Sequence, residues 1–315
     1  MNADLAVSVV FSTYESPRWL EKTFWGFLEQ THERFEIVVA DDGSGEETRR
    51  TIERYRPEFA ARGVELRHVW QADEGFRKCR ILNRAIVETR NPYVVFTDGD
   101  CVCREDFLAV HVARAERGYW LSGSYYKLPM STSEAIGRED VASGRCFERG
   151  WLLAHGLPGG PRSRLKLVRG PRLARALNRL TPTACNLKGS NASVWRDDLL
   201  AVGGFDERMQ WGGLDRELGV RLVNAGVHPR HVRYDAVCLH LDHARGYRDA
   251  AQVAANRALW QRVAREGVAR TEHGIDALGK GADAPPSDDS NTGEAAANAV
   301  PRDGRAPHPA GGIER

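Results

Sequence analysis

Long apolar runs are missing from this 315-residue sequence, and none approaches the roughly 20 residues a membrane-spanning helix needs. No basic-then-apolar stretch opens the chain, so no secretory leader is expected. Cysteine is sparse and unpaired: Cys79, Cys101, Cys103, Cys146, Cys185 and Cys238 show no CxxC spacing. That scatter excludes a disulfide framework or a zinc ribbon and points to buried, reduced thiols in a cytoplasmic protein. Net charge is nearly absent as well, 45 Lys and Arg against 43 Asp and Glu. The chain as a whole is therefore no nucleic-acid binder, and any site for an anion must be local. One absence is confined to a segment: between Arg149 and Arg196 there is no acidic residue.

What is present centres on Tyr93 to Cys103, Tyr-Val-Val-Phe-Thr-Asp-Gly-Asp-Cys-Val-Cys. Its first five residues are β-branched or aromatic, the composition of a strand buried on both faces. The strand runs into Asp98-Gly99-Asp100, where Gly99 lets the chain turn so that both carboxylates face one point. Alone, this tripeptide also reads as a solvated turn. Paired carboxylates at the end of a buried strand are costly without a cation, and hard oxygen ligands favour Mg²⁺ or Mn²⁺.

Upstream, Leu5 to Phe11 reads as a first strand ending in Ser12-Thr13-Tyr14-Glu15, followed by a helix entered at Pro17. Phe35 to Ala40 is a second strand, ending in Asp41-Asp42-Gly43-Ser44. A helix from Glu46 to Tyr55, a strand from Val64 to Trp70 and a helix from Gly75 to Thr89 precede the central strand. Alternating strands and helices predict a mostly parallel central sheet flanked by helices, an α/β fold. Ligands on such sheets bind beyond the carboxyl ends of the strands, where all three motifs converge. Downstream, Asp106 to Glu116 is expected as a helix and Trp120 to Tyr126 as one further strand.

Val7 to Tyr14, Val38 to Ser44 and Asp98-Gly99-Asp100, taken together, resemble the nucleotide-sugar half of the family 2 glycosyltransferases, whose fold is GT-A (Rossmann-like). Asp73 to Ile86 is similar to that family's Gly-then-Asn helix. The resemblance implies that Thr13 and Tyr14 line a nucleoside pocket and that Asp42 accepts a hydrogen bond from the base; Glu15, at a position where members vary, is a candidate ribose contact. It further implies that Asp98 sits nearest ribose and metal and that Asp100 is a direct metal ligand. Arg77 or Arg80 is a candidate for a phosphate, with a solvated helix face as the alternative. Uridine diphosphate sugars are the donors it implies.

A second cluster runs from Asn186-Leu187-Lys188-Gly189-Ser190-Asn191 to Gly203-Gly204-Phe205-Asp206-Glu207 and Trp211-Gly212-Gly213-Leu214-Asp215. A Gly-Gly turn that feeds a carboxylate into a helix start places it at the positive end of the dipole, which favours its ionised form. The block resembles the acceptor-side motif of chondroitin polymerase and the β-1,4-galactosyltransferases, with Leu214 standing where those enzymes have Glu. The resemblance implies Asp215 as the general base, Trp211, Gly212 and Gly213 on the acceptor side, and Asn191 among the donor-binding residues. Glu217 is the next candidate base. The family also supplies a histidine as a third metal ligand, matched by His240, while His243 is set against the diphosphate or a structural role. His-x-x-His at a strand end speaks against zinc.

Arg162, Arg164, Lys166, Arg169, Arg172, Arg175 and Arg179 crowd the acid-free segment, with a short amphipathic helix expected from Arg172 to Leu180. A solvated face, anionic lipid headgroups (peripheral contact with a membrane surface) and a phosphorylated acceptor are its three readings. The expected organisation is one catalytic domain over 1–273, divided into a nucleotide-sugar half (5–126), a basic insertion (127–182) and an acceptor-side half (183–273), with a disordered tail from 274 to 315. The expected activity is inverting, metal-dependent transfer from a nucleotide sugar to a saccharide or lipid-linked acceptor in bacterial surface polysaccharide assembly. A sugar-phosphate nucleotidyltransferase would need a Gly-rich loop with Arg and Lys where Phe11-Ser12-Thr13-Tyr14 stands. A binding module without catalysis would follow if Leu214 marked decay of the site.

Overall fold

Alternation along the first strand decides the layering. Val7, Val9 and Phe11 enter one apolar cluster and Val10 the other, so the sheet is buried on both faces. The computed structural model describes residues 4–159, 167, 170–180, 182–243 and 250–280, and the structural statements below concern these. Strands β1 (Val7–Thr13), β2 (Phe35–Asp41), β3 (Leu66–Trp70) and β4 (Tyr93–Asp98) pair in parallel. Their register sets Thr13 opposite Asp41 and Ser12 opposite Asp98. The three motif-bearing strand ends thus share one edge, as the βαβ reading requires.

The sheet continues from β4 through β8 (Ala192–Trp195), antiparallel to it, then β6 (Tyr119–Ser122) and β9 (His228–His231), giving the order β3-β2-β1-β4-β8-β6-β9. A second sheet of β5 (Cys101–Cys103), β10 (Val237–His240) and β7 (Ser124–Lys127) stands beside the Asp-Gly-Asp turn. The single strand expected over Trp120 to Tyr126 is two strands in two sheets. The break falls at Gly123, where a Cβ would lie 2.2 Å from the Asn191 side chain.

Helices α1 (Pro17–Leu28), α2 (Glu46–Ala61) and α4 (Phe107–Arg114) pack on one face, and α3 (Lys78–Glu88) with α10 (Leu214–Asn224) on the other. Between them in sequence lie α5 (Met130–Ala135), α6 (Arg138–Ala142), α7 (Arg149–Ala154), α8 (Pro171–Leu180) and α9 (Arg196–Ala201), and α11 (Ala250–Glu266) follows α10. The second helix outruns its expected end at Tyr55 by six residues, through Pro57, because Phe59 packs edge-on against Phe24 at 5.6 Å. Pro57 forfeits one backbone hydrogen bond there. The third helix begins at Lys78, three residues after the expected start at Gly75.

A 3₁₀ turn, Ile275–Lys280, occupies the first residues expected to be tail, and Ile275 N–H donates to the Gly203 carbonyl at 2.9 Å. The expected disorder of 281–315, and Arg162, Arg164, Lys166 and Arg169 of the basic segment, lie outside the described residues.

His111 sits at the centre of the interior. Its Nδ1 lies 2.8 Å from Ser193 Oγ and its Nε2 3.1 Å from Asn191 Oδ1. Burial lowers its pKa from 6.5 to about 4. The neutral ring's contribution is therefore complete above about pH 6.5 and is lost as pH falls toward about 4. In urea titrations across that window, His111 should account for about 1.4 kcal/mol of lost stability per pH unit. His111→Gln should flatten the profile by that amount; an unchanged slope would show that His111 does not titrate on unfolding.

Candidate active site

Gly99 brings the Asp-Gly-Asp turn hard against the end of β1. Its N–H donates to the Ser12 carbonyl at 3.0 Å, and a Cβ there would lie 2.8 Å from that oxygen. Beyond the turn, β10 delivers His240 beside Asp100. His240 Nδ1 lies 2.8 Å from the Leu241 carbonyl, so in the neutral ring that nitrogen holds the proton and Nε2 is left to meet a metal. Nε2 is 3.7 Å from Asp100 Oδ2, and His243 Nε2 is 3.1 Å from the same oxygen. His243 thus meets a carboxylate here. Burial opposes ionisation of Asp100, but the His243 hydrogen bond and the charges of His240, His243 and Lys78 outweigh it and hold its pKa low.

Ligand atoms of Asp98, Asp100, Cys101 and His240 all lie within 4.8 Å of one another. Two carboxylates and an imidazole with a free Nε2 suit Mn²⁺ or Mg²⁺. Cys101 was not foreseen as a member; burial pushes its thiol well up, which keeps it a poor ligand beside the carboxylates.

The cation aimed at this group is neither arginine marked in the sequence. Arg77 pairs with Glu74 at 2.7 Å and donates to the Ala72 carbonyl, and Arg80 lies 3.6 Å from Glu207. Instead Lys78, first residue of α3, donates from Nζ to Asp98 Oδ1 at 2.8 Å, with its side chain a quarter exposed (25%). Burial alone would lower its pKa; Asp98, Asp215 and Asp100 outweigh it and hold the ammonium charged. Three basic residues within four positions share one helix start, and only side-chain geometry separates them.

Where a nucleoside pocket is expected, Tyr14 is half exposed (51%), its hydroxyl donating to Asp73 at 3.0 Å. Asp42 is buried and accepts from Gln71 Nε2 at 2.6 Å and from the Arg77 backbone N–H at 3.0 Å. Burial raises its pKa, against those two hydrogen bonds. Thr13 Oγ1 and Gln71 Oε1 are buried without a hydrogen-bond partner. Orphaned polar atoms on this floor are costly until a polar ligand meets them. Glu15 adopts a positive φ of 43° and accepts from the Gly45 N–H at 2.7 Å, which ties the ends of β1 and β2 together. Asn191 is not part of this floor. It is fully buried and donates to the carbonyls of Ser124 and Ala236, so its role is structural.

Gly212 and Gly213, with φ of 91° and 85°, form the left-handed turn that starts α10, and Asn256 of α11 braces it by donating to the Trp211 and Gly212 carbonyls. Asp215 follows within the first helical turn. Burial raises its pKa, although the Lys78 charge and the Gly189 backbone N–H oppose the rise. The expected dipole stabilisation is thus outweighed by desolvation. Glu217 is no reserve base, because it is fully buried in a two-bond ion pair with Arg221 at 2.6 Å.

Leu214, which stands where the motif has Glu, is buried in the apolar cluster that also holds Met209 and Leu218. Leu214→Glu should therefore destabilise the fold by about 2–4 kcal/mol, through an unpaired buried carboxylate, rather than alter acceptor choice. Equal urea midpoints for the variant and the unaltered protein would show that this position opens to solvent.

Residues 8–151 match the family model described as Glycosyl transferase family 2. Validoxylamine A glucosyltransferase of Streptomyces hygroscopicus subsp. jinggangensis is 28% identical over 235 residues, covering 70% of this chain and 52% of that protein. Chondroitin synthase of Pasteurella multocida is 23% identical over 250 residues, 72% of this chain and 24% of that one. The chain thus spans about half, or less, of the length of these relatives. Among solved structures, S. aureus TarS 1-349 in complex with UDP-GlcNAc superposes with a TM-score of 0.55 at 15% identity, covering 87% of this chain and 70% of that one. The mannosyltransferase PcManGT from Pyrobaculum calidifontis, in complex with GDP-Man and Mn²⁺, gives 0.51 at 17%, covering 83% and 71%. The fold is GT-A-like, and residues 8–151 carry the family 2 glycosyltransferase pattern.

Proposed function

We propose that this chain is an inverting, metal-dependent glycosyltransferase. It moves a sugar from a nucleoside diphosphate carrier, uridine diphosphate in this reading, to a hydroxyl of a saccharide or lipid-linked acceptor. Assembly of a bacterial surface polysaccharide is the proposed setting. The observation that carries the reading is Lys78: bonded to Asp98 and within electrostatic reach of Asp215, it unites the diphosphate-side and acceptor-side carboxylates in one cleft. Against a binding module without catalysis stands the grouping of Asp98, Asp100 and His240, with Lys78 bonded to Asp98.

Thr13, Tyr14 and Asp42 bind the nucleoside, with the exposed Tyr14 ring against the base. Asp98, Asp100 and His240 hold the divalent ion, which supplies charge neutralisation for the departing diphosphate. Lys78 adds a fixed positive charge beside them. Asp215 takes the proton of the acceptor hydroxyl as its oxygen bonds to the anomeric carbon. The bond from that carbon to the diphosphate oxygen breaks on the opposite face, and the electron pair leaves with the diphosphate. One displacement inverts the anomeric centre and needs no covalent nucleophile.

Asp215→Asn keeps the shape and removes the base, so transfer should fall roughly a hundredfold to ten-thousandfold while calorimetric affinity for uridine diphosphate with Mn²⁺ is retained. Transfer at the unaltered rate would rule Asp215 out. Because Asp215 must be ionised and its pKa is raised, kcat/KM should fall on the acid side at a pH above the usual carboxylate range. In Asp100→Ala, the Mn²⁺-dependent part of nucleotide affinity should vanish; full affinity in the variant would remove Asp100 from the metal site. Hydrolysis of a panel of uridine and guanosine diphosphate sugars tests the carrier, and cleavage of guanosine donors alone would overturn uridine.

A further inference from the structure

The helix α8 docks by a narrow edge. Ala174 is buried, and Asn178 accepts the Tyr234 N–H at 3.1 Å. With 3.6 residues per turn, Arg175, Arg179 and Arg172 fall within an arc of about 60° on its outward side. Ala176, Leu180 and Leu173 fill the adjoining arc of about 60°. All six are exposed, Leu173 to 55% and Leu180 to 78%. None of the three arginines has an ion pair with any described residue.

We propose that this face of α8 docks on an anionic lipid surface. Two properties of the face must be met together. The arginines call for negative charge, and the leucines call for an apolar phase. A phosphorylated soluble ligand would satisfy the first and leave Leu173 and Leu180 in water. A bilayer boundary satisfies both: the leucines enter the acyl edge, while the arginines beside them reach phosphate headgroups at the interface. The absence of any acidic residue from Gly150 to Trp195 leaves no carboxylate of that segment to repel the headgroups. No helix among the described residues is long and apolar enough to cross a membrane, so the contact is one of lying on the surface.

The test is sedimentation of the full chain with phosphatidylcholine vesicles that contain or lack phosphatidylglycerol. The protein should bind the anionic vesicles, not the neutral ones, and salt should weaken the binding. Arg172→Ala with Arg175→Ala and Arg179→Ala should lower the partition roughly a hundredfold, about fivefold per charge. Leu173→Ser with Leu180→Ser should lower it at least about tenfold and leave the salt dependence unchanged. Equal binding to both vesicle types, or none to either, overturns the proposal. So does a leucine variant that binds like the unaltered protein, or release of the protein by inorganic phosphate at constant ionic strength; either of these identifies a phosphate site instead. Hydrolysis of the donor in solution should be the same in all variants, because none of these residues lies in the cleft. A failed vesicle test therefore leaves glycosyl transfer standing.

Discussion

Like charges crowded into one cleft repel, and here three carboxylates converge: Asp98 and Asp100 from the central strand's end, Asp215 from a helix start on the far side of the chain. Burial worsens the problem, since a desolvated carboxylate resists ionisation. The charge of Lys78 answers all three at once, by a direct bond to Asp98 and by its field at Asp215 and Asp100. His243 and His240 further support Asp100. Carboxylates gathered in this way favour a bound cation, which is the electrostatic condition that the proposed metal-dependent handling of a diphosphate requires.

The helix that carries Lys78 also holds the two halves of the site together. Cys79 donates its thiol to the Met209 carbonyl at 3.3 Å. Arg80 faces Glu207, and Asn83 exchanges hydrogen bonds with Phe205 in both directions, at 2.8 and 2.7 Å. Successive positions of α3 therefore clamp the loop from Phe205 to Met209, and that loop leads directly into the Gly212-Gly213 turn. The lysine that balances the charges and the backbone that aims Asp215 are parts of one rigid connection. Displacing α3 would disturb the Asp98-Gly99-Asp100 turn and the loop before α10 together.

Strand ends and their order were legible because the information is local: β-branched runs, a Pro at a helix entry and Asp-Gly turns report on their own few residues. The parallel register then follows from alternation, and the shared edge of Thr13, Asp41 and Asp98 with it. Partner choice was not legible. Lys78, Arg77 and Arg80 are chemically similar neighbours in sequence, and which one reaches Asp98 depends on where α3 begins, three residues later than composition suggests. Asn191 and Asp215 both lie in a polar, Gly-rich block, yet the first bonds to His111 and the second feels the charges of Lys78 and Asp98. Leu214 read as a missing acceptor contact because its neighbours match a motif; only packing shows that its side chain belongs to the core.

If Asp215 is the base, as proposed, proton transfer accounts for a buried carboxylate lying within the field of an ammonium. A base is effective near neutral pH when its pKa rises toward that range, and desolvation moves Asp215 in that direction. Carried too far, the same desolvation would leave Asp215 protonated before the acceptor arrives, and no proton could be taken. Gly189 N–H and the Lys78 charge oppose that drift, while Asp98 adds to it. The acidity of Asp215 is thus set first by burial and then trimmed by Lys78, Gly189 and Asp98. In the proposed reaction, a cation held at Asp98 would weaken the repulsion that Asp98 exerts on the ionised Asp215 and so would favour its charged form.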